Sequence, residues 1–136
     1  YAKRLFSGDM PVEIKYAKAW SSWENALASI NSNGKGGDAP GEYARAFARL
    51  ENHYFVNAGF LETDGQILAN MDRIAHIPGV IVQGRYDMIC PPQAAYSIAQ
   101  VWPECELKMV RNAGHTLSEP GITAELVSAM DRIAAQ

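Results

Sequence analysis

Two short strand-like runs, residues 79–83 and 106–111, each break into a turn that contains glycine. The first feeds Gly84-Arg85-Tyr86-Asp87 and the second feeds Asn112-Ala113-Gly114-His115, with a helix-length segment, about residues 92–102, between them. This spacing predicts a parallel βαβ unit, because parallel neighbours need a long crossover and antiparallel ones only a tight turn. Both turns then fall at the carboxyl ends of strands, the edge where open α/β sheets place their ligands. Asp87 and His115 are thus expected at consecutive strand ends, in the order that a Ser…Asp…His triad requires. No stretch reads Gly-x-Ser-x-Gly, so the acid and base of such a triad are present without its nucleophile elbow.

A two-stranded unit is marginal in water, and no further segment reads convincingly as a strand, although 136 residues at 48% hydrophobic content can bury a core. The pattern therefore predicts a part of a larger sheet. Upstream the periodicity is helical. After Pro11, the residues Val12, Tyr16, Ala19, Trp20, Trp23, Leu27 and Ile30 recur at three- and four-residue steps and predict one apolar, aromatic face. A second helix is expected over about 42–54 with Phe47, Leu50 and Tyr54 on one stripe, ended by Asn57-Ala58-Gly59. Residues 31–40, rich in Gly, Asn and Ser, read as a mobile loop; no strand leads into them and no P-loop Lys-Ser/Thr follows, which argues against a phosphate cradle. A short helix over about 65–71, the βαβ unit and a last helix over about 122–135 complete the pattern. Composition changes near residue 60, giving a helical segment 1–60 and an α/β segment 61–136.

Charge excludes some partners. Twelve basic against 15 acidic residues, with no long run of either sign, argue against nucleic-acid binding. Cys90 and Cys105 lack Cys-x-x-Cys spacing, and His53 and His76 show no ligand spacing, so neither a disulfide framework nor a metal site is expected. His53 reads as packing and His76 as a turn residue. No segment has the apolar length of a membrane span, and Tyr1-Ala2-Lys3-Arg4 does not read as a signal peptide, so a reduced, cytoplasmic setting is expected.

Taken with Trp20-Ser21-Ser22-Trp23-Glu24 and Arg49-Leu50-Glu51-Asn52-His53-Tyr54-Phe55, the Gly84-Arg85-Tyr86-Asp87 and Ala113-Gly114-His115 pieces make the sequence resemble the proline iminopeptidase family of α/β-hydrolase serine peptidases. The resemblance covers essentially the whole chain, as the second half of such an enzyme. It implies that 1–60 are helices of a cap, that 61–136 are the C-terminal part of an α/β-hydrolase core, and that the complete enzyme releases N-terminal proline from peptides without a cofactor. It also implies that the partner of this half is the remaining N-terminal half of the same enzyme, which would carry the serine, so this chain alone is expected to be inactive.

Residue by residue, Asp87 can be read as a triad acid or as an acid that caps its own turn, and the resemblance favours the first. His115, one βα unit later, becomes the general base. Glu24 and Glu51 sit at helical spacing beside aromatic positions, where a carboxylate needs a partner. Arg45 or Arg49 could supply it as an internal ion pair, whereas the resemblance implies a substrate's protonated terminal amine. Ile89 and Cys90 are implied in lining a pocket for the proline ring, with Cys90 acting as a small apolar group and not as a nucleophile. Two alternatives stay open: another α/β-hydrolase acting on epoxides or esters, whose neutral substrates would give Glu24 and Glu51 no charge to meet, and a non-catalytic interaction module.

Overall fold

The structure, a computed structural model, describes residues 1–30 and 38–135. Of the expected loop 31–40, residues 31–37 lie outside the described residues. The chain divides into two compact units, one of residues 1–26 with 32–64, the other of residues 27–31 with 65–136.

In the first unit, α1 (Ala2–Leu5) leads into α2 (Met10–Ala28), whose last two residues already belong to the second unit, and α3 (Gly41–Val56) follows. Asp9 caps α2 by accepting a hydrogen bond from the Val12 amide at 3.4 Å, and Pro11 stands in the first turn, where its missing N–H costs nothing. Asn57 closes α3: its side-chain amide donates to the His53 carbonyl at 2.7 Å, and its backbone N–H to the Tyr54 carbonyl at 3.2 Å. Ala58, Gly59 and Phe60 then take left-handed φ values of 52°, 64° and 60°, which turns the chain out of the helix.

Leu5, Ala17, Ala44 and Ala48 form the core of this unit, with Tyr16, Trp20 and Ala39 packed against it. Tyr16 and Trp20 belong to the stripe expected of α2, but the fully buried positions of both helices are others. α2 buries Glu13, Ala17, Ser21 and Glu24, and α3 buries Ala44, Ala48 and Asn52. Trp23, Leu50 and Tyr54, expected on buried faces, are 63%, 61% and 50% exposed. Charge pairing lets an acid take a place on the inner face. Glu13 can sit on the inner face because Arg45 Nε, Arg49 Nη1 at 3.3 Å and the Gly8 amide at 2.9 Å all donate to it. The Arg45 hydrogen bond, then the Gly8 amide, hold its carboxyl below the usual range against the opposing effect of burial.

In the second unit, α4 (Gln66–Ala69) and a 3₁₀ turn (Met71–Arg73) precede β1 (Gly79–Gly84), α5 (Pro92–Gln100), β2 (Cys105–Val110) and α6 (Pro120–Ala134). The two strands pair in parallel, in register from Gly79 with Cys105 to Gly84 with Val110, and form a two-stranded sheet among the described residues. Pro92 opens α5 at a position suited to a residue without an N–H. Trp102 fastens the crossover to the start of β1: its indole N–H donates to the Ile77 carbonyl at 2.8 Å, and its ring lies where any side chain on Gly79 would have to go. Met71, Ala95, Ala113, Ile122 and Ala129 are the buried apolar residues of this unit. Among the described residues no helix is long and apolar enough to cross a membrane.

Candidate active site

The turns that leave β1 and β2 are laced together by main-chain bonds. The Arg85 amide donates to the Val110 carbonyl at 2.9 Å and the Tyr86 amide to the Ala113 carbonyl at 3.0 Å. This apposition depends on glycine. A Cβ on Gly84 would lie 1.9 Å from the Gly114 carbonyl oxygen, and one on Gly114 would lie 2.8 Å from the Ala28 carbonyl oxygen. Only bare backbone lets the two strand ends come this close.

Asp87 is 7% exposed and divides its carboxylate between two tasks. Oδ1 accepts the Ile89 and Cys90 amides at 2.9 and 2.8 Å, and Oδ2 meets His115 Nδ1 at 2.9 Å. Gln83 Nε2 also donates to Oδ2, at 3.2 Å. One oxygen thus caps the residue's own turn and the other faces the histidine. Burial pushes this carboxyl upward, but the Cys90 amide, the His115 ring and the Ile89 amide together outweigh burial and hold it below the ordinary aspartate value. Facing an ionised, acceptor-only oxygen, the neutral His115 ring places its proton on Nδ1. Nε2 is then left as an acceptor, the tautomer a general base requires.

The backbone of His115 is held as firmly as its ring. Its amide and that of Thr116 both donate to the Ala28 carbonyl, at 2.7 and 2.9 Å. The side chain is 40% exposed, so the imidazole is anchored on one edge and accessible.

Glu24 and Glu51 belong to the first unit. Glu24 is 8% exposed on the inner face of α2, and Glu51 Oε2 accepts the Trp20 indole N–H at 2.6 Å. Trp20 in turn stacks on Phe55, with centroids 6.0 Å apart. Tyr1, Trp20 and Trp23 line a cavity of about 310 Å³. Arg45 and Arg49, considered as partners for these acids, both pair with Glu13.

Of the two residues expected in a proline pocket, Ile89 is half-buried and Cys90 exposed. What the structure gives both is a main-chain role, their amides fixing Asp87 Oδ1. His53 packs its exposed ring on Phe60 at 5.2 Å, and His76 lies in a turn. Among the described residues no group of three or more His, Cys, Asp and Glu could hold a metal ion.

Sequence reasoning missed Gln83, Glu13 and above all Glu119. Glu119 is 2% exposed, and its Oε1 accepts from Ser29 Oγ, the Ile30 amide and the Gly114 amide. Its position before Pro120, at the start of a helix, looks in sequence like that of an ordinary capping acid, which concealed it.

Fold and site define a mixed α/β protein with a small parallel sheet and a carboxylate–imidazole pair across adjacent strand ends. The chain is homologous over its whole length to proteins named proline iminopeptidase. It is 49% identical over 138 aligned residues to a probable proline iminopeptidase of Leptolyngbya boryana, covering 100% of this chain and 43% of that protein. It is 46% identical to the proline iminopeptidase of Arabidopsis thaliana, covering 99% of this chain and 36% of the relative, and 46% identical to that of Neisseria gonorrhoeae, covering 98% and 42%. The chain therefore spans well under half the length of these relatives. No protein-family model matches it.

Proposed function

We propose that this chain corresponds to the C-terminal part of an α/β-hydrolase, a helical cap segment over 1–60 followed by core elements over 61–136, and that the complete enzyme is a serine aminopeptidase releasing N-terminal proline from peptides. The nucleophilic serine and the donors for the oxyanion would come from the portion of such an enzyme that this chain does not span. His115 Nε2 takes the serine proton as the hydroxyl oxygen attacks the prolyl carbonyl, then returns it to the departing amine nitrogen. A water molecule, deprotonated by the same nitrogen, cleaves the acyl-enzyme in the second half of the cycle. Asp87 keeps the ring in the required tautomer and stabilises the imidazolium that forms. Glu24 and Glu51 receive the protonated amine of the substrate. Ile89 and Cys90 contribute to the proline pocket. A peptide without a free amine at that point would bring no positive charge to these two carboxylates, which disfavours internal cleavage. Two cysteines without the spacing of a disulfide framework support a reducing, cytoplasmic setting.

The observation that carries this reading is the 2.9 Å contact between Asp87 Oδ2 and His115 Nδ1 in a chain homologous throughout to proline iminopeptidases. Its test is turnover of a proline chromogenic amide by the complete enzyme. Asp87→Asn, which presents a donor where His115 needs an acceptor, is expected to lower kcat about 10⁴-fold, and His115→Ala by a similar factor. Glu24→Gln and Glu51→Gln should raise KM for the prolyl amide. Undiminished turnover in His115→Ala would overturn the assignment, and unchanged amine selectivity in both Gln variants would point to a hydrolase of neutral substrates.

A further inference from the structure

Glu119 is a buried acid that the proposed reaction does not use. It directly precedes α6, yet its side chain caps none of that helix's amides. Its Oε1 instead reaches away, to Ser29 Oγ and the Ile30 amide, both at 2.9 Å, and to the Gly114 amide at 3.3 Å. Burial pushes its carboxyl upward, and the Ile30 amide, the Ser29 hydroxyl and the Gly114 amide reverse that effect, so the group sits below the ordinary glutamate value. Gly114 is the residue immediately before His115, and the same segment that supplies Ser29 and Ile30 supplies the Ala28 carbonyl that holds the His115 and Thr116 amides. One charged oxygen and one carbonyl oxygen therefore pin residues 28–30 and 114–116 to each other.

We propose that Glu119 is the positioning residue of His115, fixing the turn on which the imidazole is carried so that its ring stays in register with Asp87. This inference rests on the reading of His115 as the general base and adds a residue to it. Removing the carboxylate orphans the Gly114 amide, whose residue is buried, and such a group is costly to leave unmade. The turn can recover the bond only by shifting, and the displacement passes directly to the next residue. Because the imidazole moves and the amine-binding acids do not, the loss belongs in kcat and not in KM.

The test uses the complete enzyme with L-proline p-nitroanilide as the probe. Glu119→Ala is expected to lower kcat about 10²-fold, the scale of a roughly ångström misplacement, with KM within about twofold and cooperative melting retained. Glu119→Gln keeps an acceptor oxygen on an arm of the same length, so it should recover about tenfold of that loss. Wild-type kcat in folded Glu119→Ala would overturn the proposal, as would a change in KM alone. If Glu119→Ala does not fold, Glu119→Gln decides: kcat lowered at unchanged KM supports the positioning role, and wild-type kcat overturns it. His115→Ala run in parallel separates the two failures. An inactive His115→Ala beside a fully active Glu119→Ala removes only the positioning role, whereas an active His115→Ala removes the reading beneath it.

Discussion

Asp87 and Glu119 are acids taken out of water and kept charged by donors aimed at single oxygens. Their carboxyls are held below ordinary values of about 4, so each binds a proton more readily in the unfolded chain than in the folded one. The stability they contribute is complete above that ordinary range and disappears as pH falls through the depressed folded values. Acid titration of the complete enzyme, followed by circular dichroism, should accordingly show stability falling below about pH 4, with a shallower fall in Glu119→Gln. An equal slope in the variant would mean that Glu119 carries no such linkage. At this scale the sequence announced Asp87 and His115, because strand ends in a βαβ unit expose side chains predictably. It did not announce Glu119, whose partners Ser29, Ile30 and Gly114 lie up to 90 residues away and leave no local pattern.

Strands and helices were legible to within a few residues, because alternation, proline and glycine act locally. β1 extends one residue beyond the expected run, through Gly84, and β2 starts one residue earlier than expected, at Cys105. Helix faces were not legible in the same way. Periodicity assumes that the bulkiest apolar stripe turns inward, yet α2 and α3 meet around alanines with an arginine-neutralised Glu13 among them, and present aromatics outward. The union of elements that matters most for the site, the β1 turn against the β2 turn, rests on Gly84. Gly84→Ala would drive a methyl group into the Gly114 carbonyl oxygen, which cannot give way without carrying His115 with it. A loss of about 1–3 kcal/mol in unfolding free energy is expected from urea titration, the range of other overpacked positions. Activity should fall more than stability does; a fully stable and active variant would show that the turns tolerate separation.

Across the whole molecule, large apolar side chains remain at the surface: Tyr43, Trp23 and Phe55 in the first unit are 63%, 63% and 64% exposed, and Met88, Met130 and Ile133 in the second are 69%, 64% and 53% exposed. β1 also has a partner on one edge only among the described residues. Surfaces of this kind are covered by other protein or else drive association. The 136-residue chain by itself is therefore expected to bind a hydrophobic dye strongly and to show no turnover of a prolyl amide, and co-expression with the remaining part of the enzyme should suppress the first and restore the second. Measurable turnover by the chain alone would contradict this.

The clasp on the Ala28 carbonyl is made entirely of peptide groups, with the amides of His115 and Thr116 as its other half. Nothing in it depends on which side chain residue 28 carries. Amino-acid replacement there can drift without loosening the histidine's footing, whereas inserting or deleting a single residue between 24 and 30 would slide a different carbonyl under the imidazole. The site is thus tolerant of spelling and intolerant of spacing.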